Sequence, residues 1–91
     1  MAIYTWNTDK NELLIKERGI SFERVVFHLE NSGLLDIVQH SNQQRYPDQK
    51  IFIVKIDEYA FLVPFVETEE HIFLKTIIPS RKATKKYLGD S

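Results

Sequence analysis

Three apolar runs in the second half of the chain are joined by connections too short for anything but hairpins. Residues 51–56, 59–67 and 71–78 are rich in Ile, Val, Phe and Leu, and only Asp57-Glu58 and Thr68-Glu69-Glu70 separate them. Strands joined this tightly pair antiparallel, because a parallel return needs a crossover of roughly a dozen residues or more. Residues 34–40 read as a further strand, and the polar stretch 41–49, with Pro47, as the loop between. Pro64 has no N–H to give a ladder, so it is expected at an edge, at a bulge, or with that bond facing outward.

The first third has a helical period. Residues 3–6 read as a short strand or an extended arm. Asn7 or Thr8 then caps a helix, with Asp9 and Glu12 near its positive end, Lys16 and Arg18 near its negative end, and Gly19 as the stop. Leu13, Leu14 and the stem of Arg18 are its expected buried stripe. Ser21 caps a second helix, whose apolar face is Phe22, Val25, Val26 and Leu29 and whose end is Asn31-Ser32-Gly33. Pro79-Ser80 closes the last strand and opens a final basic helix, with Ser80 as its cap. The expected fold class is α+β: two N-terminal helices packed on a small antiparallel β-sheet, then a short basic C-terminal helix, a sandwich with the helices on one face.

Ninety-one residues, 43% of them hydrophobic and including six Phe, four Tyr and one Trp, suffice for a single domain over residues 1–91 with one core. The chain has no cysteine, which excludes disulfides, thiolate metal sites and a Cys nucleophile and fits a reducing cytoplasm. Neither a signal-peptide pattern nor an apolar run of membrane-spanning length is apparent, so a small soluble, cytoplasmic domain is expected.

Charge is unevenly spread. From His71 to Leu88 the chain holds Lys75, Arg81, Lys82, Lys85 and Lys86 and no acid, while the whole chain is at net −1, so the remainder sums to −6. A cationic end on an acidic body suits a polyanion or an acidic partner; it equally suits a solvated helix whose lysines favour its own negative end. His28, His40 and His71 have no metal-ligand spacing, the three glycines form no phosphate loop, and no nucleophile motif is present, so no metal or cofactor is expected.

Arg81 is the strongest single candidate. It follows Pro79-Ser80 in a first helical turn, where free N–H groups and a guanidinium fork together make a small phosphate pocket. Lys82, Lys85 and Lys86 would widen that patch, and Tyr87 could stack on a base or simply dock the helix. Glu67 ends an apolar strand on the same face as Val63 and Phe65, where a general base could sit at the core's rim, whereas Glu69 and Glu70 read as a hydrophilic hairpin tip. Lys10 opposes the dipole of the first helix, a faint hint of function. Trp6 reads as a core anchor.

Three patches carry a resemblance. They are Trp6-Asn7-Thr8-Asp9-Lys10-Asn11 continuing to Arg18-Gly19-Ile20-Ser21-Phe22, then Val63-Pro64-Phe65-Val66-Glu67, then Ile77-Ile78-Pro79-Ser80-Arg81-Lys82-Ala83-Thr84. In order and spacing they resemble the BrnT-type toxins of bacterial toxin–antitoxin modules, over nearly the whole chain. The first and third patches are the more specific. This chain has Glu17-Arg18 where the family has Lys-His, Asn7 where it has Asp, and Thr76, beside Lys75, where it has an Arg.

The resemblance implies a RelE/ParE-like fold and a metal-independent ribonuclease that cleaves RNA and inhibits translation. It also implies a ribbon-helix-helix antitoxin from a neighbouring gene, which would mask the toxin and bring the pair to operator DNA. Lys10, Glu67 and Arg81 match the family's early Lys, strand-end Glu and late Arg, so the resemblance makes them the catalytic candidates. Lys75, Lys82, Lys85, Lys86 and Tyr87 are the substrate-binding candidates. In such a reaction the RNA's own 2′-hydroxyl attacks phosphorus, Arg81 with Lys75 or Lys82 stabilises the charge, and Glu67 or a lysine takes the proton. The rivals are a non-catalytic module that binds an antitoxin or nucleic acid, and a poison of a topoisomerase.

Overall fold

The computed structural model describes residues 3–40, 42, 44–45 and 47–89. The elements run β1 (Ile3–Trp6), α1 (Thr8–Arg18), α2 (Phe22–Glu30), β2 (Leu34–Gln39), β3 (Gln49–Ile56), β4 (Tyr59–Glu67), β5 (His71–Leu74), β6 (Ile78–Pro79) and α3 (Arg81–Leu88).

Local chemistry sets the helix ends. Asn7 accepts from the Lys10 N–H at 2.9 Å, and Gly19 closes α1 in the left-handed region at φ 67°. The hydroxyls of Ser21 and Ser80 each accept from the N–H three residues on, Arg24 and Ala83, at 3.1 Å. Such caps satisfy first-turn donors that have no partner within the helix. The buried stripe of α1 differs from the expected one. Leu14 is buried, but Leu13 is 46% exposed, and the second buried position is Asn11. Asn11 is a polar staple between helices: its Oδ1 accepts from the Phe22 N–H and its Nδ2 donates to Glu23, both at 2.7 Å. Buried amides of this kind need both bonds made.

The sheet corrects the sequence expectation in three respects. It is a six-stranded mixed sheet in the order β1-β5-β4-β3-β2, with β6 also on β4, and not a small antiparallel one. First, residues 3–6 are a true strand, parallel to β5, with Tyr4 opposite Ile72 and Trp6 opposite Leu74. That register turns Tyr4 and Trp6 toward the main core, where Trp6 stacks on Phe22 with ring centroids 5.7 Å apart.

Second, the run 71–78 is split into β5 and β6. Between them the chain leaves the ladder to bury Ile77 completely, and Arg18 Nη1 donates to the Ile77 carbonyl at 2.6 Å. Pro64 sits at this break. Its carbonyl accepts from Lys75 at 2.8 Å, so its missing N–H faces the side where β5 has ended and β6 has not begun.

Third, the helices do not share one face. Alternation along β3 and β4 sends Phe52, Val54, Val63 and Phe65 toward Leu14, Ile20, Phe22 and Val25 of the α1–α2 side. Ile53, Ala60 and Leu62 point the other way and meet Ala83 and Tyr87 of α3. The small side chains of Ala60 and Ala83 let α3 approach that second face closely. The RelE/ParE-like architecture expected above, with its small antiparallel sheet, is therefore not what the chain forms.

Candidate functional site

The start of α3 is bolted to β4. Ser80 N–H donates to the Ala60 carbonyl at 3.0 Å, Ala60 N–H donates to Thr84 Oγ1 at 2.9 Å, and the Thr84 hydroxyl donates to the Ser80 carbonyl at 2.7 Å. Arg81 therefore projects from a rigid corner. It is exposed and makes no ion pair with any described residue.

Helical spacing divides the cations of α3 into two pairs. Ala83 faces the sheet and is buried. Lys82 and Lys86, four apart, edge a groove floored by Val38, Ile53 and Leu62. Arg81 and Lys85, also four apart, are exposed and do not line it.

Tyr87 donates its hydroxyl to Asp36 Oδ2 at 2.6 Å, and Asp36 Oδ1 accepts from the Ile37 N–H at 2.7 Å. The Tyr87 bond, then the amide bond, holds the Asp36 carboxyl below the usual carboxylate range, and the bond to Asp36 pushes the Tyr87 hydroxyl up. Asp36 reaches α3 through a bulge. An irregularity between Leu34 and Asp36 adds a residue to β2, so both Leu35 and Asp36 serve the second face. Asp36 and the groove floor escaped the sequence reading; alternation along β2 hints at them, but the bulge hides the register.

The three catalytic candidates do not all converge. Glu67 is exposed at the far end of β4, opposite Ile72 and beside Lys50 and Tyr4. Arg81 is anchored through Ser80 to Ala60, seven residues back along the same strand. At about 3.3 Å per residue that is roughly 23 Å. Glu67 also shares the face of Val63 and Phe65, as alternation predicts, while α3 lies on the other. Lys10 lies in the first turn of α1, half-buried, on the side of the sheet away from α3. Lys75 is exposed at the end of β5, opposite Pro64.

The two more specific motif patches do meet. Arg18, from the first, holds the carbonyl of Ile77, which opens the third. Burial, followed by the charge of Glu30, raises the pKa of Tyr4 in the depression near Glu67. Among the described residues no group of three or more His, Cys, Asp or Glu is arranged to hold a metal ion. Among the described residues no helix is long and apolar enough to cross a membrane. No family model, curated protein or solved structure matches the chain.

Proposed function

We propose that this chain is the toxin of a toxin–antitoxin pair and cuts RNA in the cytoplasm without a metal. Arg81 is the group that stabilises charge on the reacting phosphate. The observation that carries the reading is the meeting of the two motif-bearing segments through Arg18 and the Ile77 carbonyl, four residues before Arg81. Their resemblance to BrnT-type toxins supplies the activity, and Arg81, exposed and without an ion pair to any described residue, supplies the chemistry.

In this scheme the RNA's 2′-oxygen loses its proton to a base and attacks the adjacent phosphorus. The 5′-oxygen leaves and takes up a proton, giving a 2′,3′-cyclic phosphate and a 5′-hydroxyl. Arg81 and the free amides of the first turn of α3 face the developing negative charge, and Lys85 holds the neighbouring backbone. Glu67 takes no part. Lys10, on the side of the sheet away from α3, takes no part either, and water is the proton acceptor.

The test uses the purified protein, single-stranded RNA with and without ribosomes, and EDTA. Cleavage that persists in EDTA, leaves cyclic phosphate ends and falls about 10²-fold or more in Arg81→Ala is the expected result. A second reading, a binding module without chemistry, is favoured by the separation of Glu67 from Arg81. RNA left intact under every condition would select it.

A further inference from the structure

We infer that the trough on the α1–α2 side of the sheet binds a small zwitterion with an apolar body, the chemistry of a free hydrophobic amino acid. The inference does not rest on RNA cleavage and survives its failure.

The trough crosses the sheet. Tyr4 lies opposite Ile72, Ile72 opposite Glu67, Phe65 opposite Lys50, and Phe52 opposite Ile37, so all five strands of the ladder give side chains to it. No residue of α1 or α2 lines it. Its floor is the buried Phe52–Phe65 stack, and exposed Leu34 and Ile37 with half-buried Ile72 form its walls. The volume is about 280 Å³, close to the lower end of the roughly 300–1,000 Å³ of small-molecule sites. That room suits one small molecule with an apolar body.

The rim supplies charge of both signs. Lys50 and Glu67 line the trough from adjacent strands, and neither forms an ion pair with any described residue. They are diagonal neighbours, because Lys50 faces Phe65, two residues before Glu67, and such positions lie about 7–8 Å apart. One molecule carrying a carboxylate for Lys50 and an ammonium for Glu67 spans that spacing, with a charge-assisted bond at each end. Tyr4 is half-buried and makes no hydrogen bond to a described residue, so its hydroxyl is available to accept from the same ammonium. Glu30, near Tyr4, and Asp48, in the adjoining depression with Glu67, make that side negative and fix the polarity of the ligand. The same acids argue against RNA here, since one lysine among three carboxylates repels a phosphate backbone.

The test is titration of the isotope-labelled full chain with L-phenylalanine, L-leucine and L-methionine, followed by backbone amide shifts in NMR. Hydrocinnamate lacks the ammonium of L-phenylalanine, phenethylamine its carboxylate, and alanine its apolar body. Saturable shifts are expected at Tyr4, Lys50, Glu67 and Ile72, with each analogue about tenfold or more weaker than L-phenylalanine. Lys50→Met should weaken L-phenylalanine about tenfold without weakening phenethylamine, and Glu67→Gln should do the same without weakening hydrocinnamate. Lys82→Glu/Lys86→Glu, on the other face, should change none of these, and circular dichroism checks the fold of each variant. The inference is overturned by no saturable shift with any of the three amino acids, by shifts centred elsewhere, by analogues that bind as tightly, or by affinity indifferent to both rim substitutions. It is also overturned if a short single-stranded RNA shifts the same signals and displaces L-phenylalanine, since the trough would then be a nucleic-acid surface.

Discussion

On one side of the sheet, eleven buried residues from two helices, three strands and two connections form a single cluster; on the other, a cluster of three buried residues joins one short helix to the sheet. The first side includes the Phe52–Phe65 stack, with ring centroids 3.9 Å apart, and the fully buried Phe22 and Val25. The second relies on polar fasteners: the Ser80–Ala60–Thr84 bonds at the start of α3 and the Tyr87–Asp36 bond at its end. Stability comes mainly from buried apolar area. The first side therefore holds the fold together, and the second is free to carry the exposed cations of α3.

Substitutions on the two sides should separate these roles. The largest loss is expected for Phe22→Ala, which empties a fully buried ring site stacked on Trp6. About 3–5 kcal/mol should disappear in urea unfolding. Next comes Gly33→Ala, at the join of α2 and β2. A Cβ there would lie 2.7 Å from the His28 carbonyl oxygen, which the Gly33 N–H itself needs. A loss of about 1–3 kcal/mol is expected.

On the second side the expected effects are local. Tyr87→Phe should speed hydrogen exchange in the last turn of α3 and leave β3 and β4 protected. If β4 exchanges faster too, the two sides are not independent.

The same fastener defines a pH window. The lowered Asp36 pKa contributes stability above the usual carboxylate range, and this is lost as pH falls through its depressed value. The raised Tyr87 pKa contributes stability below the ordinary tyrosine range, and this is lost as pH rises through its elevated value. Exchange from the end of α3 should accordingly rise at both pH extremes, with Tyr87→Phe flattening the profile. The smallest expected effect is that of Lys82→Glu/Lys86→Glu on global stability, within about 0.5 kcal/mol for exposed surface positions.

Much of the first side was legible in the sequence, because caps and local periodicity build it. Asn7, Gly19, Ser21 and Ser80 act where their chemistry places them, and Tyr59–Glu67 has its expected bounds. What escaped depends on pairing over distance. Nothing local says that Ile3–Trp6 joins β5 in parallel, that Ile77 breaks a strand to reach the core, or that the stripe of α3 meets the even residues of β4. The candidate site divides in the same way. Arg81 and the lysines of α3 stand out by composition, whereas the distance from Arg81 to Glu67 and the pairing of Asp36 with Tyr87 emerge only from strand register.

The central claim is that activity resides at Arg81 and not at Glu67. Tightly controlled expression of the wild-type chain, Arg81→Ala and Glu67→Gln in separate bacterial cultures, followed by growth and total RNA integrity, tests it most directly. The account predicts arrest with fragmented RNA for wild type and Glu67→Gln, and normal growth with intact RNA for Arg81→Ala at equal protein level. Fragmented RNA with Arg81→Ala, or its loss with Glu67→Gln, would contradict it.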